Sequence, residues 1–231
     1  MDSGNIGFVL LCAAFVFVMT PGLAMFYGGL VRKKNVVNTM MTSIFIIGVG
    51  IVMWVLFGYS LSFAPSGNAF IGDFRWLGLE GVSLTEGYTD DASIPNMVFS
   101  AFQMMFAVIT PALITGAVAG RMKFKSIFVF TIFWSLIVYY PLAHMVWGQG
   151  GLLGADGIGA LDFAGGDVVH ISSGVSALVL CILLGKRHDY EHSIYRIHNI
   201  PTVVLGASLL MFGWFGFNAG SALAADGLAA H

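Results

Sequence analysis

The charges of this chain are confined to short intervals, and the long apolar stretches between them leave few folds open. Positions 3–31 contain no Asp, Glu, Lys or Arg, after which Arg32, Lys33 and Lys34 stand together. Positions 35–72 are again free of charge, followed by a polar interval with Asp73, Arg75, Glu80, Glu86, Asp90 and Asp91. The run 92–120 is uncharged and ends at Arg121, Lys123 and Lys125, and from 126 to 155 only His144 can ionise. A fifth apolar run leads from LDFAGGDVVHISSG (161–174) to Lys186 and Arg187, and a sixth covers about 199–225. Each meets or approaches the ~20 residues that an α-helix needs to cross a hydrocarbon layer. Backbone polar groups inside lipid must be satisfied within the segment, so such runs fold as helices. The expectation is six transmembrane helices, at about 6–31, 36–64, 94–120, 126–146, 164–185 and 200–222.

Composition sets the solvent. The 231 residues are 58% hydrophobic and 10% charged, against about 25% charged in a soluble domain. There are too few polar groups to cover a wet surface. The fold class is therefore all-α integral membrane. A net charge of −2 excludes a basic nucleic-acid binder. Cys12 and Cys181 lie in apolar runs without CxxC or CxxH spacing, so they read as packing residues, and neither a metal nor another cofactor is expected. Nine of the ten basic residues fall after spans 1, 3 and 5, with Arg75 the exception. The positive-inside rule then puts those three loops in the cytoplasm and the N-terminus outside. Met1-Asp2-Ser3 lacks the basic region of a signal peptide, so span 1 reads as a retained helix.

Local signals refine the spans. Ser93 and Pro95 read as the cap region and early proline of span 3, and Asn199 and Pro201 do the same for span 6. Pro21-Gly22 and Thr110-Pro111 are expected to interrupt spans 1 and 3. Gly116 with Gly120, and Gly216 with Gly220, have the spacing of close helix contacts.

Ionisable groups inside a span are expensive and mark functional sites. Asp162, Asp167 and His170 open span 5. Asp162 has the position of a helix cap, a structural task. Span 3 runs inward, which puts Phe106 about 15–17 Å below its outer start at 1.5 Å per residue, with Phe102 one turn above on the same face. Phe217 in span 6, His170 in span 5 and Trp147 at the end of span 4 also fall in the outer half. Trp147 is equally at home in an interfacial aromatic belt, and two phenylalanines among twenty are compatible with plain packing. A different class, a membrane haem or metal protein, would use His144 and His170, or His188 and His192 at i,i+4 spacing. Ser172-Ser173-Gly174 lacks the nucleophile elbow of a serine hydrolase.

Five segments settle the comparison. LDFAGGDVVHISSG, TPGLAMFYGGLVRKKN (20–35), AFQMMFAVITPAL (101–113), PLAHMVWGQGGLL (141–153) and GWFGFNAGSALAA (213–225) resemble, in collinear order, the ammonium transporter family, which includes the Rhesus proteins. The resemblance implies an eleven-helix fold of two five-helix inverted repeats plus a terminal helix, assembled as a homotrimer in the plasma membrane with a narrow apolar pore in each protomer. It implies that Trp147 and Ser221 form an outer recruitment site with Phe106 and Asp162, that Phe106 and Phe217 gate the pore below Phe102, and that His170 is the first of two pore histidines. Ammonium would be deprotonated at the gate and cross as ammonia, which avoids the cost of moving a cation through hydrocarbon. A cytoplasmic PII-type signal protein is the implied partner, and an ammonium sensor of the same fold is the nearest alternative. The chain carries the first repeat plus helix 6, and the second histidine is absent. Residues 1–231 therefore read as an incomplete domain of a longer protein that does not conduct alone.

Overall fold

The structure, a computed structural model, describes every residue except Ser66, Asp156, His188, Asp189, Ser193 and Tyr195. Six helices are long and apolar enough to cross a membrane: α1 (Ser3–Leu30), α2 (Lys33–Phe63), α3 (Asn96–Val118), α4 (Phe124–Trp147), α5 (Gly166–Leu184) and α6 (Ile200–Gly220). A short α7 (Gly227–Ala230) follows. Among the described residues the remainder is turns and loops, with no strand beyond an isolated bridge between Asn68 and Ile71.

Span α3 is the centre of the bundle. In its most apolar stretch 72% of residues are buried, against 22% in α5, so α3 is packed on most sides while α5 presents its flank. Span α3 touches α1, α2 and α5, and α1 makes its most extensive contact with α6. Polar side chains tie the helices across these faces. The Tyr27 hydroxyl donates to the Leu113 carbonyl at 2.8 Å, the Trp134 indole N–H to Ser176 Oγ at 2.8 Å, and the Trp54 indole N–H to the Ser100 carbonyl at 3.2 Å. In an apolar solvent such bonds and close van der Waals fit hold helices together, because burial from lipid gains little.

Glycine makes the α1–α6 contact close. A β-carbon on Gly206 would fall 2.3 Å from the Phe26 backbone nitrogen, and one on Gly213 would fall 2.0 Å from Met19 Cγ. Gly216 and Gly220 face Cys12 in the same way, so that pair serves packing. Gly116 is filled from the other side by the Tyr27 ring.

Two expectations need correction. Neither Pro21 nor Pro111 breaks its span: α1 and α3 run through them. Each proline removes one backbone bond, which buried membrane helices tolerate, and Thr110 turns its hydroxyl onto the Phe106 carbonyl at 2.6 Å beside the gap. Span α3 also lacks a side-chain cap, since Pro95 stands just before the helix and Ser93 Oγ instead accepts from Asn5 Nδ2 at 2.9 Å. Asn199 does cap α6, accepting from the Thr202 amide at 3.1 Å. Three spans contain a π-helical turn, at Trp54–Gly58 in α2, Ser135–Tyr139 in α4 and Gly166–Ile171 in α5.

Candidate functional site

The basic loops gather at one end of the bundle, where Arg32, Asn35, Ala119, Arg187 and Arg196 line a common cleft. At the other end a cavity of about 480 Å³ opens between α3, α4 and α6 under the loop that carries Tyr88 and Ser93. Its walls include Phe102, Gln103, Phe106, Trp147, Asp162 and Ser221. Tyr88 forms part of the rim. Its ring stacks on Phe99 with centroids 4.8 Å apart, and its hydroxyl accepts from the Gln149 amide at 3.0 Å. Burial pushes the Tyr88 phenol up to about 12, against a smaller lowering by that amide bond.

From this cavity a chain of rings leads inward, each from a different helix. The Phe106 ring meets Trp147 edge-on at 5.9 Å and 88°. Phe102 lies above it at 5.0 Å. Phe106 and Phe217 pack face against face at 4.3 Å with a 34° tilt, and both are buried. The His170 imidazole lies beyond Phe217 at 6.0 Å, exposed on the open flank of α5. The order Trp147, Phe106, Phe217, His170 is thus built from α4, α3, α6 and α5.

Asp162 organises two of these elements. Its Oδ1 accepts from the amides of Gly165 at 2.5 Å and Gly166 at 2.8 Å, and its Oδ2 from Asp167 at 2.7 Å and Val168 at 2.9 Å. Four donors that open a helix would otherwise lack partners, and one carboxylate takes them all. The Asp162 carbonyl in turn accepts the Trp147 indole N–H at 2.9 Å. Gly165 sits at φ +93°, a left-handed conformation that favours glycine. A β-carbon there would also meet Val169 Cγ2 at 2.7 Å. The Gly165 carbonyl accepts from both the Val169 and His170 amides, forming the π turn that carries His170. Such turns often occur at functional sites.

Ser221 donates its hydroxyl hydrogen to the Phe217 carbonyl at 2.9 Å, which leaves its oxygen lone pairs to accept from a guest. Gln103 is a wall residue that sequence reasoning passed over. The signal was present, since it is an amide inside an otherwise apolar, uncharged span.

The alternative ligand sets fare differently. His144 is buried, with Nδ1 3.1 Å from the Ser62 carbonyl oxygen and Nε2 2.8 Å from that of Asn68. Both nitrogens already face backbone acceptors that join α4 to the end of α2 and the loop after it. His188 lies outside the described residues. No group of three or more His, Cys, Asp or Glu side chains converges among the described residues.

Six apolar spans around a buried aromatic pair define a multi-pass membrane protein with a partly polar cavity at one end. The model of the Ammonium Transporter Family matches residues 7–231, and the chain belongs to that family. It is 53% identical over 229 residues to an ammonium transporter of Bacillus subtilis, covering 99% of this chain and 55% of that protein. It is similar to the crystal structure of Saccharomyces cerevisiae Mep2, with a TM-score of 0.85 and 37% identity over 97% of this chain and 50% of that one. A structure described as a sensor Amt protein gives a TM-score of 0.83 at 28% identity, over 98% of this chain and 56% of that one. The chain spans about half the length of these relatives.

Proposed function

We propose that the protein carries ammonium nitrogen across the plasma membrane, and that residues 1–231, which span about half the length of its relatives, recruit the cation and start its path. The observation that supports this reading best is the file from Trp147 through Phe106 and Phe217 to His170, with successive centroids 5.9, 4.3 and 6.0 Å apart. A cation over an aromatic face gains about 0.5–2 kcal/mol, and more where water is excluded. Ser221 Oγ accepts one of its hydrogens, while Asp162 acts at one remove by holding the Trp147 indole and the start of α5. The buried Phe106–Phe217 pair presents only apolar rings, so an intact ion meets a large desolvation cost there. Ammonia does not, once ammonium has given its proton to water in the outer cavity. Beyond the pair stands the His170 imidazole, whose ring nitrogens can hydrogen-bond ammonia.

The test is His170→Ala in the full-length protein in proteoliposomes. The ammonium-evoked current should fall at least about tenfold, the effect of removing one hydrogen-bonding partner of the passing molecule at its upper range. Unchanged current with unchanged selectivity over potassium would remove His170 from the path. The same reading puts the basic end in the cytoplasm, as a homotrimer with a PII-type signal protein as its partner there. Likeness to the sensor protein favours a second reading, ammonium detection without flux. Saturable ammonium binding with no current in sealed vesicles would select it.

A further inference from the structure

We infer that Gln103 is a ligand of the cation in the outer cavity, the second oxygen acceptor beside Ser221. The inference rests on the reading of this cavity as an ammonium recruitment site. Gln103 is nine-tenths buried, and its Oε1 has no hydrogen-bond partner. Among the described residues neither end of its amide bonds to another group. Such an oxygen is rare in a folded protein and costs about 1–3 kcal/mol if left so. The position explains the vacancy. Gln103 lies on α3 between Phe102 and Phe106 and contributes to the same cavity wall as Trp147 and Ser221.

Two of the cavity's donors are engaged elsewhere. The Trp147 indole N–H goes to the Asp162 carbonyl, and the Ser221 hydroxyl hydrogen goes to the Phe217 carbonyl. What remains around the guest is a Ser221 oxygen, the π faces of Trp147, Phe102 and Phe106, and the unbonded Gln103 amide, whose Oε1 is the buried end. With that oxygen turned inward the set accepts hydrogens and attracts positive charge. Its complement is a small cation with several N–H donors and no acceptor. Rotation about the terminal χ3 bond of glutamine is soft, and it breaks no hydrogen bond here. It can therefore swing the oxygen onto an arriving cation.

The experiment compares wild type with Gln103→Leu and Gln103→Glu in the full-length protein. It reads the half-saturating ammonium concentration of the current and, separately, ammonium chloride titration of tryptophan fluorescence. Gln103→Leu removes the acceptor at nearly the same volume, and half-saturation should rise about tenfold by both readouts, the loss of a hydrogen bond to a charged group. Gln103→Glu keeps an oxygen there and should stay at or below the wild-type value. Because the amide has no partner to lose, the leucine variant should unfold at no lower temperature than wild type. A leucine variant within about twofold of wild type overturns the assignment. So does equal weakening by leucine and glutamate, or a leucine variant that does not fold, since each marks a packing role. If wild type carries no current, the transport reading fails, and the fluorescence titration still decides the role of Gln103.

Discussion

The substitution Asp162→Asn separates two roles that one carboxylate can play near a cation. In the structure both oxygens are committed: Gly165 and Gly166 donate to Oδ1, and Asp167 and Val168 to Oδ2, at 2.5–2.9 Å. Asparagine replaces one oxygen with an NH₂ that faces two amide donors and bonds neither. Two first-turn amides of α5 then lose their partner at about 1–3 kcal/mol each, softened where water reaches them, and the charge at the helix N-terminus contributes about 0.3–1 kcal/mol less. The local stability of the turn should fall by about 2–4 kcal/mol. Amide exchange across 165–171 should then accelerate about 30- to 1,000-fold at 1.4 kcal/mol per decade. Hydrogen exchange read by mass spectrometry on peptides from this segment measures it directly. The reasoning is refuted if exchange there is unchanged while ammonium binding disappears, because the carboxylate would then act on the cation itself.

Three further outcomes follow from the packing. Gly206→Ala should destabilise by about 2–3 kcal/mol, since its new β-carbon meets α1 backbone at 2.3 Å; Gly48→Ala, with open space around it, should be neutral or stabilising by up to about 1 kcal/mol in thermal melts. His144→Ala should cost about 2–4 kcal/mol, by removing the ring that faces the Ser62 and Asn68 carbonyls and leaving a cavity, read as a lowered unfolding temperature. Tyr88, raised from 10.0 to about 12 in the fold, deprotonates more readily when unfolded. Its stabilising contribution should therefore be complete below pH 10 and fade as pH rises towards 12, a decline measured as the difference between wild type and Tyr88→Phe.

The spans were legible because lipid forbids charge, and the gaps between charges mark the helices whatever the side chains do. The continuity of α1 through Pro21 and of α3 through Pro111 was not legible. Proline rules come from helices in water, where a freed carbonyl and a kink are resolved by breaking the helix, whereas these spans stay continuous among their neighbours. The π turns were hidden for a related reason. A one-residue insertion shows in sequence as a phase shift of an apolar face, and a span such as α2 is apolar on every face, so it has no phase to shift. Trp147, Phe106, Phe217 and His170 were marked by residue type and motif. The bonds that orient them run through backbone atoms, as from Trp147 to the Asp162 carbonyl, and a backbone carbonyl has no signature in sequence.

That carbonyl has a mechanistic consequence. Asp162 holds the first turn of α5 with its side chain and the Trp147 indole with its main chain. The turn it caps carries Gly165, whose vacant β-position faces Val169 and the Phe217 ring, and then His170. The outer aromatic face, the inner phenylalanine and the imidazole are therefore referenced to one short segment, 162–170, although they come from four helices. A shift of this segment moves the indole and the imidazole together, with the Phe106–Phe217 pair between them. On the proposed transport reading, recruitment and the path beyond the pair would thus be coupled by geometry, since passing a cation's nitrogen on as a neutral molecule needs all three groups in register to within a fraction of an ångström. Asp162 sets that register with its carboxylate on four backbone amides and its main-chain carbonyl on the indole.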